Sequence, residues 1–187
     1  MEVEALGAAV TARRVLVTGG VRSGKSRYAE GLVGSELAVT YVAPGPAPDA
    51  DDADWAARVK AHQARRPESW LTVETVDIAG AIRDHPGAVL VDCLGTWVTA
   101  VLDELDAWDS RRDAVETAIE DRVDDLVRAW SAAPGQLVAV TNEVGLGVVP
   151  AHRSGRVFRD VLGLVNQRVA AASDEVALVI AGRVLHL

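Results

Sequence analysis

The chain has 187 residues, which is enough for one well-buried domain and short for two. Its formal net charge of −8 argues against sequence-independent nucleic-acid binding, which depends on a basic surface that neutralises phosphates. No apolar stretch reaches the length of a membrane span, and the single cysteine, Cys93, has no partner for an internal disulfide. We therefore expect a protein of the cytoplasm with no membrane span, no nucleic-acid partner and no redox or zinc chemistry.

The order of apolar segments predicts an α/β fold. Residues 1–14 have acids at the start and arginines at the end, the reverse of a secretory signal, and we expect a short, poorly ordered extension. From residue 15 to 187, short apolar runs alternate with amphipathic stretches, as in a single domain with a mainly parallel sheet and helices on both faces. The candidate strands are 15–18, 38–43, 70–73, 88–92, 136–141, 175–180 and 183–186. A turn at Gly182 and Arg183 predicts that the last two form an antiparallel edge.

The first strand runs into a glycine-rich segment and then into a helix-forming stretch. Gly19, Gly24, Lys25 and Ser26 satisfy the spacing Gly-x4-Gly-Lys-Ser of a phosphate-binding loop. The glycines let backbone N–H groups point at phosphate oxygens, the lysine brings a positive charge to the outer phosphates, and the serine hydroxyl is a ligand for Mg²⁺. The strand before and the helix after favour nucleotide binding over a chance pattern.

A proline-rich loop from residue 44 leads to a helix that begins near residue 52 and carries His62 in its last turn. Arg58, Arg65 and Arg66 lie near His62 at helical spacing. One interpretation is a histidine that the helix dipole stabilises at the C-terminus. The other is a nucleophilic histidine among arginines that gather phosphate charge. Local spacing alone leaves both open.

Carboxylates occur in two different settings. Asp92 ends an apolar strand, where an enzyme with a phosphate-binding loop usually presents its second Mg²⁺-associated carboxylate, although it could instead cap the following helix. A later helix, from Val115 to Trp130, has an apolar stripe with acidic residues mostly outside it. We interpret these acids as a solvated face because a helix spaces them too widely to meet at one ion: Glu116, Glu120, Asp121, Asp124 and Asp125.

The loop after the strand at 136–141 is too polar at Asn142 and Glu143 for a simple core turn. Its glycines allow close approach of the backbone, and Arg153, Arg156 and Arg159 begin the next helix with positive charge. This pattern is typical of a loop in a ligand site. The alternative is a connector whose arginines face solvent.

Four segments together resemble one family, the bifunctional adenosylcobinamide kinase/adenosylcobinamide-phosphate guanylyltransferases of cobalamin biosynthesis. They are Thr18–Ser26, the spacing Arg58-x3-His62-x3-Arg66-Pro67-x2-Trp70, Val91–Leu94 and Asn142–Pro150. The resemblance runs from about Val15 to the C-terminus and includes the tail that begins at Arg159.

This resemblance implies roles for particular residues. The family histidine at the position of His62 accepts GMP covalently, which favours the nucleophile interpretation, and Lys25 is the second catalytic residue. Ser26 and Asp92 are the expected ligands of Mg²⁺, while ATP and GTP are substrates and a corrinoid, adenosylcobinamide or its phosphate, is the acceptor. Such enzymes are homo-oligomers with sites near subunit contacts. The implied nucleotide contacts are Gly19, Gly20, Val21, Arg22, Ser23, Gly24, Lys25, Ser26, Ala43, Pro44, Gly45, Gln63, Ala64, Arg65, Arg66, Glu74 and Asp92.

The sequence departs from the family pattern in three places. Gly95 stands where members commonly have threonine, Ala100 stands where they have asparagine, and the loop at Pro44 is richer in proline. Two alternative functions stay open, and the first is favoured if Gly95 and Ala100 indicate a changed acceptor. One is a plain small-molecule kinase in which His62 is structural, and the other is a nucleotide-dependent switch or binding module with no acceptor of its own.

Overall fold

The computed structural model describes residues 12–34, 38–45 and 53–187, with the side chains of residues 53–55, 58 and 112 outside that description. Residues 1–11 of the predicted N-terminal extension and most of the proline-rich loop lie outside the described residues, as does the side chain of Arg58. Arg14, the last residue of the predicted extension, belongs to the first strand.

Within the described ranges, one sheet holds the strands in the order β3-β2-β4-β5-β1-β6-β7. Their bounds are β1 Arg14–Gly19, β2 Val39–Ala43, β3 Leu71–Glu74, β4 Ala88–Asp92, β5 Leu137–Val140, β6 Glu175–Ile180 and β7 Arg183–His186. Every pairing is parallel except that of β6 with β7. The predicted mainly parallel α/β sheet with an antiparallel C-terminal edge is therefore confirmed.

Helices cover both faces of this sheet because the strand side chains alternate between two apolar clusters. Val15 and Val17 of β1 join the cluster that includes α1, whereas Leu16 joins the cluster that includes α3, α4, α5 and α6. The helices are α1 Lys25–Val33, α2 Ala53–Gln63, α3 Ile78–Asp84, α4 Leu94–Glu104, α5 Arg112–Ala132 and α6 Arg153–Ala171. The ends of β1, β2, β4 and β5 thus meet at one edge, between α1 on one face and α4 with α6 on the other.

The acidic face of α5 forms ion pairs with neighbouring helices. Asp125 lies 3.0 Å from the guanidinium of Arg83 and 3.2 Å from that of Arg128, and Asp124 pairs with Arg168. In the described parts of the chain, no group of three or more His, Cys, Asp or Glu side chains is placed to hold a metal ion. The side chains of Asp124 and Asp125 are 44% and 38% exposed, as expected for a solvated helix face.

The turn of the hairpin formed by β6 and β7 contacts the phosphate-binding loop. Its turn residues are Ala181 and Gly182, with φ of 50° and 76°, so the turn lies one residue earlier than the predicted one. Positive φ at both central residues matches the right-handed twist of the flanking strands. The amide N of Gly182 donates to the carbonyl oxygen of Ser23 at 2.8 Å. The turn therefore holds one carbonyl of the loop in place.

Gly19→Ala should destabilise the protein because a Cβ at this position would lie 2.4 Å from the carbonyl oxygen of Val179. That oxygen belongs to the backbone of β6, which cannot move without disturbing its pairing with β1. We expect a loss of about 1–3 kcal/mol in unfolding free energy, measured by chemical denaturation. Gly20→Ala is the matched control, since no atom lies within 4 Å of its added Cβ. Equal stability of the two variants would contradict this account of the loop.

Candidate active site

The phosphate-binding loop has the geometry that its sequence predicts. Gly24, with φ of 97°, leads into α1, and Lys25 is buried with its Nζ donating to the carbonyl oxygen of Gly20 at 3.1 Å. The hydroxyl of Ser23 is buried without a hydrogen-bond partner among the described residues. A buried hydroxyl without a partner is costly unless a ligand satisfies it. The loop therefore offers a lysine and an unused polar group at a helix N-terminus, which is the arrangement that binds phosphate.

Asp92 occupies the centre of the site, at the C-terminal end of β4. Its side chain is only 7% exposed, and its Oδ2 lies 3.0 Å from the hydroxyl of Tyr41 and 3.3 Å from Nδ1 of His62. Burial alone raises the pKa of this carboxyl, but interactions with His62, Tyr41 and Ser26 outweigh burial and hold the pKa below its usual value. Asp92 is therefore an anion with three donors around it.

Asp92 does not cap α4, so that alternative from the sequence is wrong. The capping position belongs to Cys93, whose backbone N–H and side chain both interact with Thr96. Burial, followed by the charge of Asp92, raises the pKa of the Cys93 thiol. This cysteine is consequently a neutral structural thiol.

His62 lies in the last turn of α2 with its side chain 23% exposed. Because the Asp92 anion accepts from Nδ1, the proton of the neutral imidazole stays on that nitrogen and the lone pair of Nε2 is available. A buried base that orients a ring through the other nitrogen is the usual way to make a histidine reactive. The contact gives His62 the features of a nucleophile, which the local spacing in the sequence had left open.

Two arginines fix the chain just after α2, and they do so differently. Arg65 forms two hydrogen bonds with the carboxylate of Glu30 on α1, at 3.0 and 3.3 Å. The guanidinium of Arg66 lies 3.4 Å above the ring centre of Tyr41 and donates to Thr72 at 3.3 Å. The Nε of Arg66 is buried and has no partner among the described residues. Arg66 therefore keeps a donor for an anion, whereas Arg65 is occupied by Glu30.

One pocket connects these groups. Of the predicted site residues it is lined by Lys25, Ser26, Ala43, Gly45, His62, Arg66, Glu74 and Asp92. The other predicted nucleotide contacts do not line it: Gly19, Gly20, Val21, Arg22, Ser23, Gly24, Pro44, Gln63, Ala64 and Arg65. The pocket also has lining residues outside the predicted set, among them Tyr41, Thr96, Thr99, Asn142 and Phe158. Of the two departures noted near β4, Gly95 lines the pocket and Ala100 does not.

Two of the three arginines at the start of α6 hold their own loop, whereas Arg153 donates to the carbonyl oxygen of Ser110. Arg159 donates to the carbonyl oxygens of Gly145 and Gly147 at 2.6 and 3.1 Å, and Arg156 donates to those of Pro150 and Ala151 at 2.9 and 2.7 Å. These donors serve backbone carbonyls rather than an anion site, and Arg153 and Arg156 are exposed, as the solvent-facing alternative expects. The polar start of the loop, at Asn142, does reach the pocket.

The donor set near the phosphate-binding loop suits Mg²⁺. The Ser26 hydroxyl interacts with the Asp92 carboxylate, and both are oxygen donors. Magnesium prefers oxygen ligands, is typically held by one or two protein groups, and completes its shell with substrate phosphates and water. The two residues expected from the sequence as Mg²⁺ ligands are thus brought together.

The family model that matches this chain is that of cobinamide kinase / cobinamide phosphate guanyltransferase, over residues 15–187. The chain belongs to this family. A bifunctional adenosylcobalamin biosynthesis protein, CobU, from Salmonella typhimurium is 43% identical over 183 residues, which cover 90% of this chain and 96% of that protein. The Pseudomonas aeruginosa protein of the same description, CobP, is 37% identical over 176 residues, covering 90% and 94%. The resemblance inferred from the motifs is confirmed, and so is the class of enzyme, a nucleotide-dependent kinase and guanylyltransferase.

Solved structures match this chain at much lower sequence identity. The P4 protein from bacteriophage phi6 in complex with ADP is 16% identical, with a TM-score of 0.42, over 91% of this chain and 52% of that chain. The P4 protein from bacteriophage phi13 is also 16% identical, with a TM-score of 0.40, over 92% and 53%. Separately, within the described ranges no helix combines the length and the apolar character needed to cross a membrane.

Tyr41 has two functions that substitutions can separate. Tyr41→Phe keeps the ring beneath Arg66 but removes a donor to the buried Asp92, so we expect a loss of about 1–3 kcal/mol in unfolding free energy with GTP affinity nearly unchanged. Tyr41→Leu also removes the aromatic face, and GTP affinity should fall about fivefold further. Chemical denaturation and calorimetric titration with GTP measure the two effects. Equal losses of GTP affinity in both variants would refute the role assigned to the ring.

Proposed function

We propose that one site performs two phosphorus transfers in sequence. The first phosphorylates adenosylcobinamide with ATP or GTP, and the second transfers GMP from GTP to adenosylcobinamide phosphate through a guanylyl-His62 intermediate. The family name contains both activities, and the Salmonella typhimurium and Pseudomonas aeruginosa relatives are described as bifunctional. The observation that carries the proposal is the placement of His62, oriented by Asp92, in the same pocket as Lys25.

In the kinase reaction, the acceptor hydroxyl oxygen attacks the γ-phosphorus. The bond from that phosphorus to the β-bridging oxygen breaks, ADP or GDP leaves, and the hydroxyl proton is released to solvent. Lys25 and the backbone N–H groups of the loop stabilise the charge on the transferred group. Ser26 and Asp92 would hold Mg²⁺, which neutralises phosphate charge when bound.

In the guanylyl transfer, Nε2 of His62 attacks the α-phosphorus of GTP and forms a P–N bond while the bond to pyrophosphate breaks. The ring becomes positively charged, and the Asp92 carboxylate at Nδ1 stabilises this charge. A phosphate oxygen of adenosylcobinamide phosphate then attacks the same phosphorus. The P–N bond breaks, adenosylcobinamide-GDP leaves, and His62 returns to its neutral form.

The remaining assignments belong to the same proposal. The nucleotide contacts are the segments Gly19–Ser26, Ala43–Gly45 and Gln63–Arg66 with Glu74 and Asp92, and their support is that each segment and both single residues contribute to the lining of one pocket. A cytoplasmic location and a homo-oligomeric assembly rest on the family resemblance. The free donor of Arg66, close to His62, favours binding of nucleotide phosphate at that end.

Covalent guanylylation is tested with GTP labelled at the α-phosphate in the presence of Mg²⁺. After denaturation the wild-type protein should retain label that resists alkali and is released by acid, as a phosphoramidate is. His62→Ala should lose the label and the guanylyl transfer while phosphorylation of adenosylcobinamide continues. Equal loss of both activities would contradict this division of labour.

A matched pair of variants separates this function from its alternatives. Asp92→Asn should slow label formation by more than about tenfold because the ring loses the anion that stabilises its positive charge. Lys25→Met should abolish the kinase reaction, since no other lysine lines the pocket. A plain kinase is indicated if wild-type protein phosphorylates the corrinoid without ever retaining label. A switch or binding module is indicated if neither transfer occurs although GTP binds.

A further inference from the structure

The pocket extends across the edge of the sheet from one face to the other. Lys25 and Ser26 belong to α1, which packs on the face formed by Val15 and Val17. Another part of the lining comes from α4 and α6, which pack on the opposite face, and includes Gly95, Thr96, Thr99 and Phe158. Transfer of a phosphoryl group needs the acceptor opposite the leaving group, roughly in line. With nucleotide phosphates at the loop, the half of the pocket between α4 and α6 is where an acceptor fits.

Asn142 presents an amide to this second half of the pocket. It follows β5, which lies between β4 and β1 in the sheet. The backbone carbonyl oxygen of Asn142 accepts from Nδ2 of Asn166 at 3.1 Å, and Oδ1 of Asn166 accepts from the buried Thr141 hydroxyl at 2.6 Å. These bonds fix the backbone of Asn142. Its side-chain amide makes no hydrogen bond to any described residue, and Asn142 lines the pocket, so the amide is available to a ligand there.

Because Gly95 has no side chain, the side-chain amide of Asn142 can lie close to its Cα. A Cβ at Gly95 would be 3.3 Å from Nδ2 of Asn142 and 3.6 Å from Sγ of Cys93. The first distance is shorter than ordinary van der Waals contact, so a side chain at position 95 would push the amide away.

We propose that Asn142, in the space left by Gly95, binds the acceptor group in both reactions. This inference rests on the proposed function and adds the residue that binds the acceptor. The first acceptor is an alcohol, whose proton needs a hydrogen-bond acceptor, and the second is a phosphate, whose oxygens need donors. A carboxamide offers both kinds of group in one side chain. A carboxylate would serve the alcohol but repel the phosphate.

The test separates labelling of the enzyme from transfer to the acceptor. Wild type, Asn142→Ala and Asn142→Asp are labelled with α-phosphate-labelled GTP and then chased with adenosylcobinamide phosphate. We expect the effect in the chase rather than in the labelling, with the KM for both acceptors raised about tenfold in Asn142→Ala. Asn142→Asp should raise the KM for the phosphate acceptor by at least about tenfold more than that for the alcohol, because only the phosphate is repelled.

A second variant probes the same space without removing a polar group. Gly95→Ala adds a methyl group beside the Asn142 amide, and alanine is the better helix former, so the melting temperature should not fall. We expect a rise of about fivefold in the KM for both acceptors, because the displaced amide loses much of one hydrogen bond. Gly163→Ala is the matched control, since Gly163 also lies in a helix, away from the pocket, with no atom within 4 Å of the added Cβ.

Three outcomes are informative. If Asn142→Ala loses its label or raises the KM for GTP, the residue belongs to the nucleotide half of the pocket and the proposal is wrong. If wild type is labelled and Asn142→Ala is chased normally, only the role of Asn142 is refuted. If wild type carries no label, the guanylyl-histidine proposal fails, and the KM for adenosylcobinamide in the kinase assay still decides whether Asn142 reads the acceptor.

Discussion

A buried carboxylate is the constraint on which this site depends. An ionised group removed from water is unstable unless hydrogen bonds replace its hydration. Asp92 finds its partners on three different elements, at Tyr41 of β2, His62 of α2 and Ser26 of α1. The same interactions that keep the carboxylate ionised therefore hold a strand, a helix and the phosphate-binding loop in one arrangement. The orientation of the His62 ring is a consequence of this arrangement.

The contacts around Asp92 differ in strength. The ion pair of Arg65 with Glu30 is partly exposed, with the arginine side chain 40% accessible, and such pairs contribute little to stability. The stack of Arg66 on Tyr41 is closer to the carboxylate and more enclosed, so it contributes more to the position of the chain after α2. Tyr41 consequently acts twice, with its hydroxyl at Asp92 and its ring under Arg66. A substitution of Tyr41 therefore alters the contacts of both the Asp92 carboxylate and the Arg66 guanidinium.

Most of the fold was predictable because buried parallel strands are continuous apolar runs of a few residues. The predicted strands match the observed ones to within one residue at either end. The phosphate-binding loop was equally predictable from the sequence, since its signature requires particular residue types at fixed spacing. The turn before β7 was misplaced by one residue because Ala181 adopts a positive φ, which is uncommon for alanine.

The parts of the site that the sequence did not reveal are those that depend on non-local contacts. Tyr41 has the pattern of an ordinary strand residue, and nothing near it in the chain signals a contact 51 residues away at Asp92. Gly95 and Asn142 approach each other only because β4 and β5 are neighbours in the sheet. The family resemblance favoured His62 as a nucleophile, but the carboxylate that orients its ring became visible only in three dimensions.

The most direct test of the central claim is to determine which nitrogen of His62 carries GMP. Protein labelled with ¹⁵N-histidine would be guanylylated with GTP, and the phosphorus-to-nitrogen coupling observed by NMR would identify the bonded nitrogen. The account predicts phosphorus on Nε2, with Nδ1 still protonated and bonded to Asp92. Phosphorus on Nδ1 would contradict it, because that nitrogen could not then donate to the carboxylate.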